Sequence, residues 1–143
     1  MLKKVLKKPS KIIVQASPVG GYGVFATEHL GENEIIEEAT FVMSGVRTKQ
    51  KPAPEWIGPS ILYPYPCKCE SCQEHGQQFL FSTGYIQLYN HSDDNNVLFS
   101  FDLDTRIITV RTNRSVGGGQ ELFNNYGKEY QHFDSEWLGT CKF

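Results

Sequence analysis

The alternation of apolar and polar positions points to short strands throughout. Lys11 to Ala16 (KIIVQA) is a β-branched run and reads as a strand. SPVGGYG then turns the backbone sharply, with one proline and three glycines, before a brief strand, VFA. GENE is a turn, and IIEEATFVM predicts a longer strand. From Ser44 to Pro66 the pattern dissolves, because Pro52, Pro54, Pro59, Pro64 and Pro66 oppose long helix and central strand alike. QFLFSTGYIQLYNHS carries a strand and then one helical turn. VLFSFDLDTRIITVRTN is a hairpin around DLDT, SVGGGQE is a further turn, and LFNNY is a last short strand. The aromatic-rich end, GKEYQHFDSEWLGTCKF, has no clean period and is expected to pack onto the body. There are no repeats, and the expectation is one mainly β domain with little helix.

Composition narrows the class. With 143 residues, 39% hydrophobic and 21% charged, the chain suits one globular domain. A net charge of −2 gives the whole molecule no electrostatic claim on nucleic acid. The sign is uneven, since Lys3, Lys4, Lys7, Lys8 and Lys11 hold five of the fourteen basic residues. Residues 1–10 therefore read as a basic arm, either simply solvated or in weak contact with DNA, ahead of a domain over 11–143. No apolar run approaches the ~20 residues that span a bilayer, and no apolar segment follows the N-terminal charge, so an intracellular protein with no membrane partner is expected. Cys67, Cys69 and Cys72 lie too close together for a disulfide framework, which leaves thiols or metal ligands.

Three separated pieces carry the chemistry. Gly20-Gly21-Tyr22-Gly23 comes early, Asn90-His91-Ser92 in the middle, and Gly119-Gln120-Glu121-Leu122 with Tyr126-Gly127 late. Each alone is a common turn or capped loop, but their order over more than a hundred residues is specific. Together they resemble the SET domain, the lysine methyltransferase fold, from about Lys11 to Tyr130. The brevity is most similar to the minimal SET proteins of large DNA viruses and some bacteria. The resemblance implies short strands in small sheets with a C-terminal pseudoknot, a topology chains usually avoid. It also implies S-adenosylmethionine as cofactor and methyl transfer to a protein lysine, histone tails being the family's obvious substrate. A non-histone substrate, and a non-catalytic module that binds only cofactor or peptide, stay open as alternatives. A nuclear location follows for a histone substrate and a cytoplasmic one otherwise; small viral relatives suggest a homodimer.

Site residues follow by resemblance. Tyr126 matches the catalytic tyrosine, whose hydroxyl orients the amine and, with backbone carbonyls, faces the polarised methyl group. Gly21, Tyr22, Gly23, Asn90, His91 and Tyr126 are expected to bind the cofactor. Asn90 can donate and accept, which suits a zwitterionic amino acid end. Gly21 and Gly23 would allow close backbone approach. Tyr22, Phe99, Tyr126 and Tyr130 are expected to wall the lysine channel, with Phe99 at the place where Phe or Tyr sets the number of methyls. The attacking lysine must be neutral although its ordinary pKa is about 10.4, so a water-poor channel is needed.

The chain departs from the family pattern at several points. Asn95 stands where proline is usual, Gln120 replaces the first of two acidic residues, and Asn124 and Asn125 replace residues often aromatic and acidic. The insert near 66–76 carries Cys67, Cys69 and Cys72 with His75, at a spacing suited to Zn2+. Family zinc cysteines follow the catalytic tyrosine instead, so free thiols remain the alternative.

Overall fold

A computed structural model describes residues 5–47, 63–64, 70, 78–102 and 104–125. β1 (Ile12–Ala16) and β2 (Tyr22–Ala26) form the N-terminal hairpin, paired Ile12 to Ala26 through Ala16 to Tyr22. Its turn needs glycine: Gly20 has φ 139° and Gly21 φ 59°, which side chains rarely adopt. β3 is Ile35–Arg47, β4 Tyr63–Pro64 and β5 Gln78–Ser82. A single 3-10 turn, Ile86–Leu88, precedes β6 (Asn90–His91), β7 (Val97–Asp102), β8 (Ile107–Thr112) and β9 (Glu121–Asn124).

These strands make two small sheets. One has the order β1-β2-β9-β6 and the other β4-β5-β3-β8-β7. Two expectations need correction. The strand over IIEEATFVM does not end at Met43 but runs to Arg47, with a register shift between Met43 and Arg47 against β5. The proline-rich stretch is not wholly without strand, since Tyr63–Pro64 pairs with Leu80 and Phe79. Pro64 is tolerated because β4 is an edge strand with one unbonded side.

The second sheet buries the alternating positions of the β7–β8 hairpin: Val97, Phe99 and Phe101 from one strand, Ile108 and Val110 from the other. Burial of each such side chain contributes about 1.5–3 kcal/mol. Thr112 completes that face, and its hydroxyl is satisfied by the Gly31 carbonyl and the Glu34 amide. β3 has a bulge between Ile35 and Glu37, after which Glu37, Ala39 and Phe41 point inward.

 The bulge reverses the phase of the strand, so an acidic residue comes to lie in the core where strict alternation from Ile36 would have turned it to solvent.

The chain passes between the sheets four times, after β2, β5, β6 and β8. β6 and β9 pair in parallel, Asn90 with Phe123 and His91 with Asn124, and the β7–β8 hairpin of the other sheet lies between them in sequence. Parallel neighbours require such a crossover. Leu30 and Val116, both fully buried, bridge by reciprocal backbone hydrogen bonds and extend the contact of the N-terminal region with the β9 approach. The expected pseudoknot falls on the segment 117–127, of which residues 126 and 127 lie outside the described residues. Among the described residues no helix is long and apolar enough to cross a membrane.

Candidate cofactor and active site

The turn after β1 is closed by its own polar groups. The Ser17 amide donates to the Gly21 carbonyl (3.0 Å), and the Val19 amide donates to the Ser17 hydroxyl (3.1 Å). That hydroxyl lies 2.9 Å from both carboxylate oxygens of Glu121, at the start of β9. Glu121 Oε1 also accepts from Asn90 Nδ2 at 2.8 Å, and Asn90 Nδ2 donates to the Tyr22 carbonyl at 3.2 Å. One carboxylate therefore joins all three sequence motifs. Gly23 makes room for it: a Cβ there would sit 2.2 Å from Glu121 Oε1 and 3.0 Å from Asn90 Nδ2. Close approach at Gly23 is thus made by the protein's own side chains.

The loop from Ser92 to Asn96 is held against β9 by Asn96. Its Nδ2 donates to the Glu121 carbonyl (2.9 Å) and its Oδ1 accepts from the Phe123 amide (2.7 Å). Asn95, standing in place of proline, is fixed by other means. Its side chain donates to the Val97 carbonyl, and its own carbonyl accepts from Asn113 and Arg114. Arg114 also pairs with Asp94 at 3.0 Å. Gln120 accepts from the Gly117 amide at 2.8 Å and closes the glycine turn, a task for which a neutral amide suffices. A polar depression of about 510 Å³ lies between this loop and the turn before β9, lined by Ser92, Asn96, Arg114 and Gln120 among others.

Two amides bear on what could bind here. Among the described residues nothing donates to Asn90 Oδ1, so its remaining capacity is that of an acceptor. Asn124 is fully buried, and among the described residues neither its Oδ1 nor its Nδ2 has a hydrogen-bond partner. A buried amide left in that state costs on the order of 1–3 kcal/mol, so it calls for an explanation. Both observations fit a zwitterionic ligand or a polar substrate group bound beside β6 and β9.

The family model of the SET domain matches residues 21–127, three quarters of the chain. The chain belongs to the SET family. Among solved structures, a Plasmodium falciparum protein named as a candidate histone methyltransferase shares 28% identity with this SET domain. Its TM-score is 0.59, and the match covers 82% of this chain and 97% of that one. A chain of ctPRC2 in complex with H3K27me3 and H3K27M shares 23% identity with a TM-score of 0.60. That match covers 84% of this chain but only 15% of the other, and it bears on the fold alone. No curated protein matches the sequence.

The SET domain brings together Gly21, Tyr22, Gly23 and Asn90 but treats their side chains differently. Tyr22 is 66% exposed and joins the cluster through its carbonyl. His91 does not fill the core; its ring is half exposed, with Nε2 at 3.2 Å from Asp93. Phe99 lies in the core, fully buried and edge-on to Tyr89 at 5.2 Å. Lys11 belongs to the domain body, where it pairs with Glu34 and Glu28. Tyr126, Tyr130, Cys67, Cys69, Cys72 and His75 lie outside the described residues.

Sequence reasoning missed Glu121 and Ser17 as parts of this cluster. The available signal was Glu121 itself, the one acid left in a motif that usually has two. It also missed Glu37. Burial pushes its carboxyl up from 4.5 to about 6, partly offset by hydrogen bonds from the Tyr85 amide (2.7 Å) and the Tyr89 hydroxyl (3.2 Å). Tyr89 immediately precedes Asn90, so the buried acid supports the segment that carries the site.

Proposed function

We propose that this SET domain is a protein-lysine methyltransferase that uses S-adenosylmethionine, with histone tails as its foremost substrate. The observation that supports this best is the convergence of the Ser17 hydroxyl and the Asn90 amide on Glu121, with the same Asn90 amide donating to the Tyr22 carbonyl, which assembles the three motifs into one site. Similarity over nearly the whole length of a protein named as a candidate histone methyltransferase supports the substrate class.

When bound, S-adenosylmethionine would supply a methyl group activated by its sulfonium. Asn90 Oδ1 would accept from the ammonium of the amino acid end. The backbone around Gly21 and Tyr22, with His91, would line the rest of the pocket. Tyr126 would orient the substrate amine, and Tyr22, Phe99 and Tyr130 would wall its channel. Such a channel excludes water and so favours the neutral amine. Phe99 leaves room for more than one methyl, which mass spectrometry of the product checks; strictly monomethylated product would refute it. An extended, lysine-rich tail can add as a strand to a sheet edge.

Incubation with a labelled methyl donor and mixed histones, beside Tyr126→Phe, tests the reading. Label on lysine that is lost in the variant is the expected result. Cofactor binding with no label on histones or on other proteins would identify a non-catalytic module. Elemental analysis decides the cysteine insert: one zinc per chain identifies Cys67, Cys69, Cys72 and His75 as the ligand set, and none identifies thiols.

A further inference from the structure

We infer that Glu121 is a positioning residue that locks the Asn90 side-chain amide as a hydrogen-bond acceptor toward an ammonium-bearing ligand. The inference rests on the proposed use of Asn90 in cofactor binding and goes beyond it. A free asparagine amide offers both donors and an acceptor, and can turn either edge toward a ligand. Here its Nδ2 faces two acceptors at once, Glu121 Oε1 at 2.8 Å and the Tyr22 carbonyl at 3.2 Å. The hydrogen-bond network thus assigns the orientation of the amide. Turning it over would set Oδ1 against a carboxylate and a carbonyl, with no proton between them.

Glu121 is itself fixed. The Ser17 hydroxyl lies 2.9 Å from both of its oxygens, and the missing side chain of Gly23 provides its seat. Among the described residues no cation forms an ion pair with it. Its negative charge polarises the Asn90 amide, making Oδ1 a stronger acceptor, and favours a cationic group beyond it. The bond between Asn90 and Glu121 spans 31 residues of sequence and that between Ser17 and Glu121 spans 104, so the acceptor geometry depends on the assembled fold.

The test uses the full chain as wild type, Glu121→Ala, Glu121→Gln, Asn90→Ala and the Glu121→Ala/Asn90→Ala double variant. Calorimetry with S-adenosylmethionine measures affinity. Glu121→Ala is expected to weaken binding on the order of tenfold, the equivalent of one lost charge-assisted hydrogen bond. KM for the cofactor should rise while kcat at saturation changes little. Glu121→Gln, which keeps an acceptor for Asn90, should recover most of the loss, and the double variant should be no worse than Asn90→Ala. Unchanged affinity in Glu121→Ala, full additivity in the double variant, or no recovery in a folded Glu121→Gln would overturn the inference.

A second readout needs no ligand. The Asn90 side-chain amide resonances should shift in Glu121→Ala while those of the core stay in place. If Glu121→Ala does not fold, Ser17→Ala should move the same resonances by releasing one side of the carboxylate. Resonances that do not move overturn the inference. Wild type that binds no cofactor, with these resonances still moving, would instead refute the cofactor reading and leave the Glu121–Asn90 coupling standing.

Discussion

At the scale of single residues, Glu37 gives a pH dependence whose sign can be worked out. Its carboxyl is held up at about 6, above its ordinary 4.5, chiefly by burial. The fold therefore favours the neutral acid. That stabilisation is complete below pH 4.5, falls as the pH rises through about 6, and is absent above it. The difference amounts to about 2 kcal/mol. Glu37→Gln is always neutral, and its Oε1 can still accept from the Tyr85 amide, while the Tyr89 hydroxyl can turn to accept from its amide. Denaturant melts at several pH values should show the variant gaining on wild type by about 2 kcal/mol between pH 4 and pH 7. A constant difference across that range would contradict the assignment. Gly23→Ala makes a second prediction at this scale. The new Cβ meets only side-chain ends, the Glu121 carboxylate and Asn90 Nδ2, which can be pushed out of their hydrogen bonds without moving backbone, so the fold should survive. The displaced carboxylate should reproduce the cofactor affinity of Glu121→Ala, as read by the same calorimetry.

At the scale of elements, Asn96 governs how β9 is docked. It satisfies the Glu121 carbonyl and the Phe123 amide together, and it is itself buried. Asn96→Ala removes both bonds and should cost about 2–3 kcal/mol in denaturant unfolding. Asn96→Asp keeps the acceptor for Phe123 and loses the donor to Glu121, so it separates the two contributions. Much of this level was legible in the sequence. Runs of β-formers bounded by turns located β1, β2, β5 and the β7–β8 hairpin, through local turn chemistry in all of them and alternation in the hairpin. The inward Glu37 was not legible, since a bulge in β3 changes the phase and nothing local in IIEEATFVM signals it. The extension of β3 to Arg47 depends on a distant partner, β5, and was missed for the same reason. The three site motifs could be found by resemblance, but Glu121 as their common partner could not. Ser17 and Glu121 meet only through the order β1-β2-β9-β6.

At the scale of the whole molecule, the N-terminal hairpin and the last described strand depend on one another. β2 pairs with β9 at Val24–Leu122 and Phe25–Glu121, and the Leu30–Val116 bridge adds to the same seam. Leu122 and Val116 are buried there, so the C-terminal segment contributes core as well as hydrogen bonds. A chain ending at Arg114 would lose Val116, Leu122 and the partners of β2 and β6 at once. Asn90 and Asn96 would lose their acceptors on residue 121, and the open edge of β2 would be left to pair with other chains. Closing contacts this far apart in sequence carries a loop entropy that only the complete set of contacts offsets. The shortened chain is therefore expected to lack a cooperative thermal transition and a dispersed amide spectrum. A peptide covering residues 115–143, added in excess, should restore both by supplying β9 in trans. Cooperative unfolding of the shortened chain by itself would show that the β3–β8–β7 sheet carries the fold alone and that β9 serves only the site.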